Sequence, residues 1–303
     1  MLAGIGFYHA FVALVAQYNT HGIEVAYSIQ TNGTFIDKAW AEFFVQQHFL
    51  VGLSIDGTQE NHDSFRVDKA GKGTYTTCMQ TANLLTEAGA DFNVLSVVTK
   101  SFAEHPDEAW QFYKQNKFHF IQLIPCMDAL EDVHGANEYS LDAESYGRFL
   151  CRFFDLWYED FIKGEYISVR AFDNWVRMLM GQPPENCGMT GCCSAYPVIE
   201  ADGSVYPCDF YVLDDCKLGT VQENTFAEML TGENAVRFMT PSHQVHKDCA
   251  GCQYGFLCRG GCRCDRGVMP DGTLAVNRYC EGYKMFFAHA MSRMMDIAKK
   301  MPQ

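Results

Sequence analysis

Three cysteine-bearing blocks decide the fold: CGMTGCC at residues 187–193, YPCDF at 206–210 and CAGCQYGFLCRGGC at 249–262, with Cys280 closing the set. Eleven of the fourteen cysteines lie between Cys187 and Cys280. Written as spacing, the last part is C-x2-C-x5-C-x3-C-x17-C, and the first is C-x5-C followed by x9, Gly203, x4 and Cys208. Eight thiols at tight, turn-rich spacing are too many for one metal and suit two four-cysteine sites. Thiolate is a soft ligand that selects zinc or iron–sulfur clusters over hard cations. Four thiolates serve either group, so spacing alone leaves both open.

The rest of the chain limits the context of these sites. With 303 residues and 48% hydrophobic content it can build one large domain and a smaller one. A net charge of -14 argues against nucleic acid and anionic membrane as partners, since phosphate binding is driven by Lys and Arg. Disulfides are disfavoured: the chain is long and its C-x2-C and C-x3-C spacings suit a metal. Residues 1–18 lack the basic start of a secretory signal and are interrupted by His9 and Gln17. Phe7, Phe11, Leu14, Val15 and Tyr18 recur at helical spacing and predict an amphipathic helix there. No run reaches the roughly 18 apolar residues of a membrane span. A cytoplasmic protein of a reducing or anaerobic cell is expected.

Up to about residue 165 the pattern alternates helix and strand. Strands are predicted at 24–30, 50–55, 92–98 and 120–124, and helices at 37–48, 74–88, 106–116 and 140–163, the last capped by Ser140. Four apolar strands alternating with helices imply a parallel sheet covered by helices. Polar residues follow three strand ends, at Gln30-Thr31-Asn32, Asp56-Gly57 and Cys126-Met127-Asp128, where parallel barrels carry their sites. From about 166 Gly, Pro and Cys become frequent; a hairpin is expected around Ala201-Asp202-Gly203 and a Met-rich helix over 283–301. Cys78 and Cys151 fit core packing, Cys126 packing or pocket lining, and Cys216 and Cys264 fall outside the regular spacing.

The cysteine register resembles the SPASM domain of radical S-adenosylmethionine enzymes. Cys187, the run EADGSVYPCDFYVLDD and the upstream runs SIQTNG, LSIDG, HDSFR and IQLIPC are similar to the anaerobic sulfatase-maturating enzymes in particular. The resemblance spans essentially the whole chain. It implies a partial parallel (β/α) barrel over 1–165, four of six strands being present, and an auxiliary-cluster domain over 166–303 that ends in a helix. It implies two auxiliary 4Fe–4S clusters, one on Cys187, Cys193, Cys208 and Cys262 and the other on Cys249, Cys252, Cys258 and Cys280. The x5 spacing from Cys187 selects Cys193 over its neighbour Cys192. Asp209 matches the family's acid/base position, and Ser54 and Arg66 match positions that contact S-adenosylmethionine.

The implied reaction oxidises a Cys or Ser in an unfolded sulfatase peptide, at a CxPxR- or SxPxR-type motif, to Cα-formylglycine. A 5′-deoxyadenosyl radical takes a hydrogen from the substrate Cβ, a base takes the thiol or hydroxyl proton, and one electron leaves through the auxiliary clusters. A flavodoxin or ferredoxin is the implied electron donor. The family's C-x3-C-x2-C motif, which holds a third 4Fe–4S cluster, is absent from these residues, as is its Gly-Gly-Glu-Pro motif. An N-terminally incomplete and, by itself, inactive enzyme is therefore expected. A maturase of another peptide and a non-catalytic cluster- or zinc-binding remnant are the alternatives. The chain reconstituted without oxygen should bind about eight iron and about eight sulfide. A colourless protein with about two zinc ions would exclude the cluster reading.

Overall fold

The computed structural model describes residues 2–129 and 132–301. The chain divides into two compact units. One comprises Met1–Cys126, Glu138–Leu141 and Arg152–Phe172; the other comprises Met127–Asn137, Asp142–Cys151 and Asp173–Gln303.

The first unit opens with α1 (Ile5–Tyr18), β1 (Tyr27–Thr31), α2 (Lys38–Gln46) and β2 (Phe49–Ser54). It continues through α3 (Gln59–Phe65), α4 (Tyr75–Ala88), β3 (Phe92–Val98), α5 (Lys100–Ala103), α6 (Pro106–Gln115) and β4 (Phe120–Pro125). The helix α7 (Ala143–Phe161) is shared between the two units, and β5 (Ser168–Val169) leads directly into α8 (Arg170–Leu179). The five strands pair in the order β1-β2-β3-β4-β5, each pair parallel. Parallel sheets are covered on both faces, and the buried Val51, Leu53, Val94, Leu95 and Ile121 meet that demand. Parallel pairing also places all strand C-termini at one edge, where the loops after β1 and β2 begin.

Local sequence sets the boundaries. Asp37 caps α2 by accepting from the Trp40 N–H at 3.1 Å, and Trp40, Phe43 and Phe44 are buried from its inner face. Gly89, in the left-handed conformation at φ 74°, ends α4. The fold class is the one expected: α/β, with a partial parallel barrel followed by a small Cys-rich part that closes on a helix.

Several details differ from the sequence reading. The sheet has a fifth strand; its two residues are too few to display any alternation, and Trp157 Nε1–H fixes the segment by donating to Ile167 O at 2.8 Å. The helices α3, α5 and α8 were not foreseen, the first two being too short for a periodic signal. Asp142, not Ser140, caps α7: its Oδ1 accepts from Ser145 N–H at 2.8 Å, three residues on. In α1, Phe7, Phe11, Leu14 and Tyr18 are exposed. Phe11 keeps a ring contact with Tyr27 at 6.3 Å, while Tyr8 and His9 meet Trp40 at 5.1 Å and Phe43 at 4.6 Å. Met1, where that helix was expected to begin, lies outside the described residues. Among the described residues, no helix is long and apolar enough to cross a membrane.

The second unit contains a three-stranded antiparallel sheet of β6 (Val198–Ile199), β7 (Ser204–Tyr206) and β8 (Gly219–Thr220). Short helices follow: α9 (Phe226–Thr231), α10 (Glu233–Met239), α11 (Lys247–Ala250) and α12 (Gly255–Cys258). The closing α13 (Cys280–Lys300) buries the adjacent Phe286 and Phe287 and then Ala290, Met294 and Ile297 at steps of three or four. Its Phe286 ring lies 4.8 Å from Trp175. Near its start Gly282 faces Gly147 of α7: a Cβ on Gly147 would come within 2.7 Å of Gly282 Cα, and one on Gly282 would strike the Ala143 carbonyl. Alanine is worth about 1 kcal/mol over glycine in a helix, but overpacking costs about 1–3 kcal/mol, so the clash should win. Gly282→Ala should lower the urea midpoint of the metal-free chain; an unchanged or higher midpoint would show that the two helices do not need this approach.

Candidate functional site

Two cavities of the second unit gather the cysteines singled out by spacing. Cys187, Cys193, Cys208 and Cys262 line the first; Cys249, Cys252, Cys258 and Cys280 line the second. Cys192 reaches the lining of both. Among the described residues, which include all fourteen cysteines, no disulfide is formed. Among the described residues, no three of His, Cys, Asp or Glu are grouped so as to hold a single metal ion.

Backbone turns produce the partition. Cys187 opens a one-turn helix whose cap, Asn186, accepts from the Gly188 N–H at 3.0 Å. The Cys193 N–H donates to Ser242 Oγ at 2.8 Å, and that buried hydroxyl donates to Met239 O at 2.6 Å. Cys193 is therefore tied down and half-buried, whereas Cys192 is exposed. Cys252 N–H returns to Cys249 O at 3.2 Å, which folds the x2 spacing around one cavity. Cys258 ends α12 and Cys280 begins α13. Between Cys258 and Cys262, Arg259, Gly260 and Gly261 all have positive φ, at 51°, 86° and 70°. Glycine adopts such angles readily and arginine does not. The left-handed run turns the chain so that cysteines only four apart line different cavities.

Burial disfavours the charged thiolate. It pushes Cys208 up to about 12 and Cys258 up to about 11, and it also raises Cys193 and Cys280. Cys262 goes the other way: the Cys264 thiol donates to its sulfur at 3.3 Å, which lowers Cys262 and raises Cys264. Cys264, set aside on spacing, thus touches a member of the first set.

Asp209 lines the first cavity and is exposed. Its Oδ1 accepts from Tyr196 OH at 2.8 Å, from the Phe210 N–H at 3.1 Å and from the Cys208 thiol at 3.4 Å. Burial, then the bond to Asp209, raises the Tyr196 phenol above its usual value. Tyr196 was missed, yet the hairpin encodes it: Val198 pairs Tyr206 and Ile199 pairs Val205, so continuing that register sets Tyr196 opposite Cys208. Also missed were Arg263 and Arg266. The Arg263 guanidinium lies 4.6 Å from the Phe238 ring and 5.3 Å from the Tyr211 ring.

In the first unit, Ser54 is the half-buried last residue of β2, and Arg66 follows the end of α3. Arg66 forks onto the buried Asp56 carboxylate, at 2.5 Å from Nε and 3.1 Å from Nη2. Asp56 Oδ1 also accepts from the Val97 N–H at 2.8 Å. The Asp56 N–H donates to His62 Nδ1 at 3.2 Å, so the ring proton sits on Nε2, 3.1 Å from Thr74 Oγ1. Burial lowers the His62 pKa and keeps the ring neutral. Cys78 is buried as expected, its thiol donating to Asn32 O at 2.9 Å.

A family model described as SPASM, an iron–sulfur cluster-binding domain, matches residues 189–253. The cysteine-type anaerobic sulfatase-maturating enzyme of Clostridium novyi is 43% identical over 299 residues, covering 98% of this chain and 80% of that protein. The serine-type anaerobic sulfatase-maturating enzyme of Bacteroides thetaiotaomicron is 34% identical, covering 99% of this chain and 75% of that one. The solved structure of native anSMEcpe with bound AdoMet and Kp18Cys peptide matches with a TM-score of 0.96 at 39% identity, covering 99% of this chain and 83% of that chain.

The raised thiols carry a prediction. A thiol must lose its proton to bind metal, and Cys208 and Cys258 hold theirs well above neutral pH in the metal-free chain. Metal uptake should therefore release protons and strengthen as pH rises from about 7 to about 9. Titrating the metal-free chain with iron and sulfide in weak buffer reads both effects; uptake independent of pH would contradict them.

Proposed function

This chain belongs to the family of anaerobic sulfatase-maturating enzymes, and on that premise we propose that it oxidises a peptide cysteine of a sulfatase CxPxR-type motif to Cα-formylglycine. Its higher identity to the cysteine-type relative, 43% against 34% for the serine-type one, favours cysteine as the target. The observation that carries the proposal is Asp209: an exposed carboxylate on the rim of a cavity ringed by four thiols.

We assign Cys187, Cys193, Cys208 and Cys262 to one auxiliary 4Fe–4S cluster and Cys249, Cys252, Cys258 and Cys280 to the other. The match of residues 189–253 to an iron–sulfur cluster-binding domain favours clusters over zinc. When bound, S-adenosylmethionine and a radical-generating cluster supply hydrogen-atom abstraction, and the auxiliary clusters accept one electron. Asp209 takes the substrate thiol proton, and the thioaldehyde left once hydrogen atom, proton and electron are gone is hydrolysed by water to the aldehyde with release of hydrogen sulfide. With Cys208 ligating as a thiolate, the bonds from the Tyr196 hydroxyl and the Phe210 N–H remain on Asp209 Oδ1 and orient the carboxylate, which leaves Oδ2 as the oxygen assigned to the proton. Ser54 and Arg66 contact S-adenosylmethionine, and Asp56 fixes the Arg66 guanidinium. The Arg of the target motif suits a chain of net charge -14. Cysteines clustered at C-x2-C and C-x3-C spacings, which suit a metal better than disulfides, fit the cytosol, with a flavodoxin or ferredoxin as donor. Residues 1–165 serve the radical chemistry and residues 166–303 the auxiliary clusters.

These residues contain no C-x3-C-x2-C run, so we further propose that they do not cleave S-adenosylmethionine unaided. In a form extended by that motif, Asp209→Asn should keep both auxiliary clusters and S-adenosylmethionine cleavage. It should make formylglycine roughly 10²–10⁴-fold more slowly, the usual worth of a general base. Product at the unsubstituted rate would remove Asp209 from the mechanism, and loss of iron would make its role structural.

A further inference from the structure

Arg266 is buried, at 6% exposure, in a chain with 23 basic residues and 37 acidic ones. It lines both thiol cavities, whereas Arg263 lines only the first. Its Nε–H donates to Ala275 O at 2.8 Å and Nη2 to Leu274 O at 3.4 Å. Nη1 lies against Gly260, where an added Cβ would approach it to 3.3 Å. Gly260 is in the left-handed run between Cys258 of one set and Cys262 of the other. The guanidinium therefore sits where the two sets cross. Burial weakens its hold on its proton, and negative charge on thiolates of both sets, Cys249 and Cys258 with Cys193, acts in the opposite direction.

We propose that Arg266 is the shared counter-charge of the two cysteine sets and holds the reduction potentials of both auxiliary clusters up together. The proposal rests on the two-cluster reading above. A cluster on four thiolates is anionic, and reduction adds one more negative charge. A fixed cation in a low-dielectric interior stabilises the reduced state more than the oxidised one. Because one cation borders both cavities, it favours electron acceptance at both and keeps their potentials close. Such matching suits electron transfer between the clusters. Arg266 touches no substrate in this account; it is a positioning and tuning residue.

The test is a redox titration, followed by electron paramagnetic resonance, of the full chain reconstituted without oxygen. It compares the unsubstituted protein with Arg266→Gln, Arg266→Lys and Arg263→Gln. Arg266→Gln should disfavour reduction of both clusters roughly tenfold, about 59 mV for one electron. Arg266→Lys, which keeps the charge, should stay within about threefold of the unsubstituted protein, about half that shift. Arg263→Gln should move one cluster only. The proposal is overturned if Arg266→Gln leaves either potential in place, or if Arg266→Lys falls as far as Arg266→Gln. Should Arg266→Gln lose iron, Arg266→Lys decides: two clusters at near-native potentials support the counter-charge, and loss of iron here too assigns Arg266 to backbone packing alone. An unsubstituted chain that binds zinc or a single cluster defeats the functional reading instead.

Discussion

The Cys-rich part depends on one backbone constraint, the left-handed run Arg259-Gly260-Gly261. Cysteines four apart on an ordinary helical turn share a face and would serve one site. Here the chain reverses, and Cys258 and Cys262 line separate cavities. Since Cys262 lies between Cys258 and Cys280 in sequence, the two sets interleave and neither cavity can be formed by a contiguous segment. The close approaches inside the run explain its glycines: a side chain on Gly261 would collide with the Asn277 side chain, and one on Gly260 would crowd Arg266.

Electrostatics follow from that crossing. In a chain of net charge -14, Arg259, Arg263, Arg266 and Arg278 fall within twenty residues that carry Cys262 and are flanked by Cys258 and Cys280. Metal-free, the buried thiols keep their protons, as the raised Cys208 and Cys258 show. Loaded, the same volume must hold thiolates, and buried charge needs partners. Arg263, over Tyr211 and Phe238, and Arg266, at the crossing, supply positive charge that does not depend on solvent.

What the sequence disclosed and what it concealed divide along physical lines. The parallel sheet was legible because β2, β3 and β4 are long enough to show apolar runs and their helices end on turn residues such as Gly89. The eight cysteines singled out by their spacing gather at two cavities, since close spacing is a local property that survives folding. The two-residue β5 and the short α3 and α5 could not be read, since periodicity needs length. Long-range polar pairs were hidden for another reason. The Asp56–Arg66 fork is separated by ten residues and the Tyr196–Asp209 bond by thirteen, so no local pattern announces them. The helix α1 was legible, but amphipathic spacing marks an apolar face without saying what covers it, and Phe7, Phe11, Leu14 and Tyr18 stand exposed.

The account claims that interleaved cysteines form two separate four-thiol sites. Replacing the outermost members, Cys187→Ala and Cys280→Ala, tests it most directly, read by iron content and by electron paramagnetic resonance of the reduced chain. The account predicts that each variant loses one signal and about half of the iron, and that the lost signals differ. Loss of the same signal in both variants, or of neither, would contradict it.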